Sequence, residues 1–219
     1  VSALIYPTLP NISHLVKYHP KQPLQIYSKE GHLIAEFGEE RRDFIAISET
    51  PQQMINAILS IEDRRFFEHL GIDFIGIGRA ALKNITGRSH EGASTITMQV
   101  ARNFFLTSEK TFKRKINEIL LAIKIERTLS KEEILELYIN QIYLGQRSFG
   151  FAAAANTYYG KNLDQLNLGE TALLAGLPKA PSRYNPLVRP HLAIQRQKNV
   201  LNSMLRHGYI DNPTHILAL

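Results

Sequence analysis

The sequence predicts a mainly α-helical protein with one short β-hairpin near its N-terminus. Three observations carry this. From residue 50 onward, capping residues recur in front of segments whose apolar residues fall at i, i+3 and i+4. Leu24 to Phe37 instead alternates about a Lys29-Glu30-Gly31 break, as a hairpin does. The length of 219 residues and 44% hydrophobic content suffice to bury the core of one large domain or two packed lobes. The formal charge of +6 points to an anionic partner. Nucleic acid is the weakest choice, because no helix-turn-helix, zinc or RNP pattern accompanies the charge. The chain has no cysteine, which excludes disulfides, thiolate catalysis and cysteine-zinc sites. No apolar run reaches the roughly 18 residues of a membrane-spanning helix.

Residues 1–49 read as a leader followed by the hairpin, and residues 50–219 as the functional domain. The apolar, proline-broken opening VSALIYPTLP is expected to be the tail of an upstream segment. The first helix starts at Thr50, an expected N-cap boxed by Gln53, with Pro51 at the first helical position. Met54, Ile58 and Ile61 form its apolar face, and Glu62 lies at the edge of that face. Desolvation and the helix dipole should raise the pKa of a carboxylate so placed, as a general acid or base requires. A surface carboxylate paired with Arg64 and Arg65 fits the same stretch. His69, beside two aromatics, reads as structural or as a proton carrier.

Lys83 to Gly92 loses periodicity and is expected to form a mobile loop. Ser94 or Thr95 caps the next helix, running to about Phe105, whose N-terminal N–H groups suit a phosphate. Phe104, Phe105 and Leu106 fit a core or a membrane-dipping patch. Lys110 to Arg127 is expected to bury Phe112, Ile116, Ile119, Leu120 and Ile123. Glu118 would then sit off that stripe with Arg114 and Lys115, ionised and with a depressed pKa. Two carboxylates in such contrasting settings suit acid/base chemistry on a sugar, and an ordinary charged helix face suits the pattern too. Ser130 and Glu133 box a further helix, and Asn167 caps another that Pro178 stops. Asn140, Ser182 and Asn185 are polar groups able to reach a ligand.

Taken together these stretches resemble the peptidoglycan glycosyltransferases, family 51 of the glycosyltransferases. The resemblance rests on EDRRFFEHLG at 62–71, GASTITMQVARN at 92–103, KRKINE at 113–118, ELYINQIYLGQRSFGFAAAANTYYGK at 136–161 and TALLAGLPKAPSRYNP at 171–186. It covers the chain from about Gln52 to its end. The leader looks most like that of class A penicillin-binding proteins. None of the Ser-x-x-Lys, Ser-x-Asn or Lys-Thr-Gly elements of an acyl-serine transpeptidase is present, so the chain reads as a glycosyltransferase module without that partner domain. It departs from the family's usual glutamine pair at Met98-Gln99, which leaves only Gln99 as the matching amide.

The resemblance implies a lysozyme-like, two-lobed helical fold whose smaller lobe lies against a membrane. It also implies polymerisation of lipid II, with inversion and release of undecaprenyl pyrophosphate, at the periplasmic side of the bacterial inner membrane. Glu62 matches the catalytic base. Arg102, Lys110, Arg114 and Lys115 are the cations expected around the pyrophosphate. Asp63, Ser94, Thr95, Thr97 and Gln99 would line the donor side, with Asn140, Ser182 and Asn185 also in the substrate site. Glu118 matches the second glutamate, which either orients the cations or helps hold a divalent cation, magnesium or manganese; no cofactor is otherwise implied. The implied partners are lipid II, the growing glycan, the membrane surface and other cell-wall synthesis proteins. A lysozyme-like hydrolase and a non-catalytic module that binds lipid-linked glycan are the alternatives. The hydrolase needs two carboxyls about a water and no pyrophosphate cradle.

Overall fold

A computed structural model describes residues 9–12, 15, 24–31, 33–38, 40–85, 94–106 and 111–219. The expected leader therefore lies largely outside the described residues, as do Lys110 and positions 86–92 of the expected loop. The fold is mainly helical, as the sequence predicts. β1 (Leu24–Tyr27) pairs antiparallel with β2 (Leu33–Phe37), Leu24 opposite Phe37, with an irregularity between Ile26 and Tyr27. Gly31, at φ +86°, closes the intervening turn by donating its N–H to the Ser28 carbonyl at 3.0 Å. The two-residue β3 (Arg41–Arg42) pairs parallel with β4 (Ser148–Phe149). The helices are α1 (Gln52–Glu62), α2 (Phe74–Ile85), α3 (Ile96–Phe105), α4 (Phe112–Glu126) and α5 (Lys131–Gln141), then α6 (Phe151–Tyr159), α7 (Leu168–Gly176), α8 (Pro190–Arg206) and α9 (Asn212–Ala218). Among the described residues no helix is long and apolar enough to cross a membrane.

The chain forms two compact units: Val1–Tyr18 with Glu62–Tyr138, and His19–Ile61 with Ile139–Leu219. In the second, α7 packs on α8 through a glycine. A Cβ at Gly176 would stand 2.7 Å from the Arg196 Cγ. The close approach lets the buried Arg196 donate from Nε to the Gly176 carbonyl at 3.0 Å. The expected capping box forms at Ser130–Glu133, and the expected cap Asn167 forms a box as well, with Glu170. The one expected at Thr50–Gln53 does not. The Thr50 hydroxyl donates to the Ala46 carbonyl, while the Gln53 amide reaches Thr171 Oγ1 at 2.8 Å. A long-range amide partner outcompetes a local box here, and α1 begins one residue after Pro51.

The chain enters β4 through Gln146 and Arg147, at φ 50° and 62°. Left-handed backbone at residues other than glycine costs roughly 1–2 kcal/mol each. Bonds on both sides of Arg147 offset that cost. Its carbonyl accepts the Arg41 N–H at 2.8 Å, and its guanidinium donates to the Gly38 carbonyl. Next to it, a Cβ at Gly145 would lie 2.7 Å from the Tyr158 hydroxyl. Burial pushes that phenol up to about 12, so it remains a donor to the Leu144 carbonyl.

Asn140, expected in the substrate site, serves this architecture instead. Buried near the end of α5, it donates Nδ2 to the Ile45 carbonyl at 2.8 Å and accepts the Ile45 N–H at 2.9 Å. Its amide thus does what a strand neighbour's backbone would do. Replacing Asn140 by Ala is expected to destabilise the protein by about 1–3 kcal/mol, read as a drop of roughly 2–4 °C in melting temperature per kcal/mol. Asn140→Asp, which sets a buried carboxylate oxygen against the Ile45 carbonyl in place of the donor, should destabilise at least as much as Ala in the same thermal melt.

Candidate active site

Glu62 is the last residue of α1 and is half-buried. Its Oε2 accepts a hydrogen bond from Gln99 Nε2, on α3, at 2.8 Å. The Asp63 side chain is buried and faces the start of α3. Its Oδ2 accepts the Ile96 N–H at 3.0 Å, and both its oxygens lie 3.0 Å from His69 Nε2. His69 Nδ1 accepts the Gly71 N–H at 3.2 Å, which assigns the ring proton to Nε2 and makes it the donor to Asp63. Gly71 adopts φ +86°, and a Cβ there would meet the Ala122 backbone at 3.1 Å. Glycine is required on both counts.

These contacts correct the reading of the α3 N-terminus as a phosphate site. Thr95 caps the helix by accepting the Met98 N–H at 3.1 Å. With Ile96 N–H on Asp63, the anion that complements this helix end is the protein's own carboxylate. Three residues expected on the donor side are turned inward for the same reason. Asp63 is occupied as described, Thr95 donates its hydroxyl to the Gly71 carbonyl at 2.7 Å, and Thr97 donates its own to Glu126 Oε1 at 2.5 Å. His69 accordingly takes the structural of its two expected roles.

α4 carries the cationic half of the site, rotated relative to expectation. Glu118 is 0% exposed and lies on the buried face with Leu121, Ala122 and Ile125, while Phe112 is 92% and Ile116 43% exposed. The stripe expected in the core is therefore exposed at Phe112 and Ile116 and half-buried at Ile119, Leu120 and Ile123. The physical reason is a buried charge cluster. Lys115 Nζ donates to Glu118 Oε1 at 2.6 Å and Arg114 Nη1 to Oε2 at 2.7 Å. Lys115 also donates to Ser94 Oγ at 2.9 Å and lies 3.8 Å from the Met98 sulfur. A buried carboxylate without partners costs several kcal/mol, and the two cations within a turn of Glu118 offset that cost on the inward face.

The same geometry tests a metal at Glu118. Each oxygen already accepts a short, charge-assisted bond from a cation, which is a poor donor set for a divalent ion. Among the described residues no cluster of His, Asp and Glu has metal-binding geometry. The Glu118 site does not fit magnesium or manganese, and its chemistry rests on the side-chain cations.

The first unit thus holds two bonded groups, Glu62 with Gln99, and Arg114, Lys115 and Ser94 about Glu118. Arg102, on the same α3, is half-buried and forms no ion pair with a described residue. Lys110 lies outside the described residues. Ser182 and Asn185 belong to the second unit. Ser182 is exposed, whereas Asn185 is buried and accepts the Leu187 N–H at 2.9 Å, holding its own turn. Sequence reasoning missed the Glu126–Lys131 pair, 2.7 Å apart. The two are five residues apart across a helix break, a spacing with no periodic signature.

Three comparisons place this arrangement among known proteins. The family model described as Transglycosylase matches residues 30–205. Penicillin-binding protein 1A of Neisseria gonorrhoeae is 56% identical over 206 residues, covering 94% of this chain and 26% of that protein. The Pseudomonas aeruginosa penicillin-binding protein 1A is 51% identical over 214 residues, 97% of this chain and again 26% of the relative. The chain therefore spans about a quarter of the length of these curated relatives. The crystal structure of Penicillin-Binding Protein 1A from Haemophilus influenzae superposes with a TM-score of 0.53 at 32% identity, over 92% of this chain and 21% of that one. The mainly helical fold and the matched span agree, and the chain belongs to the transglycosylase family.

Proposed function

We propose that this chain is a peptidoglycan glycosyltransferase that polymerises lipid II into β-1,4-linked glycan, with residues 50–219 as its catalytic domain. The observation that carries the reading is the pairing, in one unit, of an amide-held carboxylate, Glu62, with two cations gathered on a buried one, Glu118. Glu62 takes the proton from the acceptor GlcNAc 4-hydroxyl, and the freed oxygen attacks the donor MurNAc anomeric carbon. The bond from that carbon to the pyrophosphate breaks, and the configuration inverts from α to β. Gln99, bonded to one Glu62 oxygen, aims the base.

Negative charge accumulates on the departing undecaprenyl pyrophosphate. Lys115 and Arg114 bring two positive charges against the single negative charge of Glu118, so the cluster retains about one positive charge for the leaving group. Lys115, its side chain 40% exposed, is the member able to exchange a protein acceptor for a phosphate oxygen. Arg102 is the further cation this reading assigns to the pyrophosphate. Glu118 acts by orienting the cations.

The substrate's lipid also accounts for the surface. Leu70 is 79%, Phe74 75% and Phe112 92% exposed, with Phe67, Ile75 and Ile116 exposed in the same unit. Apolar side chains presented this way suit the interface of a bilayer carrying lipid II, and the basic charge suits anionic headgroups. In this reading the chain works at the outer face of the cytoplasmic membrane, among other cell-wall synthesis proteins. Phe104, Phe105 and Leu106 are half-buried and contribute less than the residues just named.

Three measurements test the proposal. Glu62→Gln should reduce lipid II consumption by roughly 10²–10⁴-fold. Wild type should build long glycan digestible by lysozyme, with or without a chelator. Release of short fragments from finished cell wall would instead indicate a hydrolase, and binding of lipid II without turnover a silent module. Lys115→Ala should cost roughly 10²–10³-fold in kcat, the scale of losing one transition-state donor. Phe74→Ser with Phe112→Ser should weaken co-sedimentation with phosphatidylglycerol vesicles by tenfold or more, on the basis of about 0.8 kcal/mol per buried CH₂. Unchanged sedimentation would remove the bilayer role of this surface.

A further inference from the structure

Beneath the site lies a second buried ion pair that the chemistry above does not use. Glu126 ends α4, and its side chain is only 4% exposed. One oxygen, Oε1, receives two donors: Lys131 Nζ at 2.7 Å and the Thr97 hydroxyl at 2.5 Å. Lys131 is held on its other side by the Phe66 ring, 4.4 Å from its ammonium to the ring centroid. Desolvating such a pair makes it a weak source of stability, and an apolar pair of similar volume would pack as well. What an apolar pair cannot supply is direction.

We propose that Glu126, clamped by Lys131, is a positioning residue for the glycosyl transfer: it fixes the rotation of α3 through the Thr97 hydroxyl so that Gln99 meets Glu62. Residues two apart on an α-helix point about 200° away from each other. Thr97 and Gln99 are so related, and their bonds run to opposite sides of α3, one to Glu126 and the other to Glu62. Fixing the first direction fixes the second. Glu126 also meets the turn that follows Glu62. Its Cγ lies 3.2 Å from where a Gly71 Cβ would stand, and the Gly71 carbonyl accepts the Thr95 hydroxyl. One side chain thus abuts both the helix that carries the amide and the turn that leads back to the carboxylate. The inference rests on Glu62 as the base, and it concerns how the base is aimed.

The test compares steady-state lipid II polymerisation by wild type, Thr97→Val, Thr97→Ser, Glu126→Gln, the Thr97→Val/Glu126→Gln double variant and Glu62→Gln. All are assayed at a temperature below the onset of melting measured on the same preparations. Thr97→Val removes the hydroxyl at nearly constant volume and leaves the Glu126–Lys131 pair intact. It is expected to lower kcat by roughly 10- to 100-fold with KM unchanged, the cost of a small misplacement of a reacting group. Thr97→Ser keeps the hydroxyl and should keep the wild-type kcat. Glu126→Gln should lower kcat less than additively with Thr97→Val, since both act through one bond.

Wild-type kcat in Thr97→Val overturns the proposal. So does a loss that Thr97→Ser shares equally, because it would not follow the hydroxyl, and so does a change confined to KM. If Glu62→Gln is silent while Thr97→Val is fully active, only the positioning role falls. If Glu62→Gln turns over normally, the base assignment falls and takes the positioning role with it.

Discussion

The burial of Glu118 constrains more of the first unit than any other interaction. A carboxylate with no solvent exposure must be met by charge, and Arg114 and Lys115, a turn earlier on the same helix, supply it. The consequence spreads through Lys115, which touches Ser94 and Met98 and so sets α4 against the start of α3. Met98 contributes a thioether, a weaker acceptor than the amide usual in this family. The hold on Lys115 therefore comes mainly from Ser94 and Glu118.

The start of α3 shows a second economy. An exposed helix N-terminus would attract any phosphate, including one in the wrong place. Here the position is filled by Asp63, which His69 steadies in turn. In the proposed reading anion recognition is thereby left to side-chain cations, whose reach and direction can respond to substrate in a way that backbone N–H groups cannot. The residue next to the proposed base thus works by excluding a competing site and by tying the base's chain to the helix that supports it.

Much of this was legible in the sequence, and the failures share a cause. The bounds of α3, the box at Ser130 and the cap at Asn167 followed from local chemistry, because a cap involves residues three apart in the chain. Glu62, Glu118 and the cations around them were found through family resemblance, and the structure places Gln99 on the first and Arg114 and Lys115 on the second. What went wrong depended on partners distant in sequence. Thr50 lost its box because Gln53 found Thr171, and Asn140 looked like a ligand group because Ile45 was not in view. Thr95 and Thr97 looked outward for want of Gly71 and Glu126. The inverted face of α4 has a different origin. Periodicity ranks faces by apolar content, and it assumes that the richer face goes inside. A helix that buries an ion cluster on its other face breaks that assumption.

That outward face sets two selective pressures against each other. Replacing Phe112 or Leu70 by a polar residue would make the isolated protein better behaved in water, easier to concentrate and slower to self-associate. If the face rests on a bilayer, each such change also detaches the enzyme from the surface where its substrate is dissolved. Variants picked for yield alone would then drift toward well-folded proteins that never meet their substrate, and poor solubility would be a sign of competence.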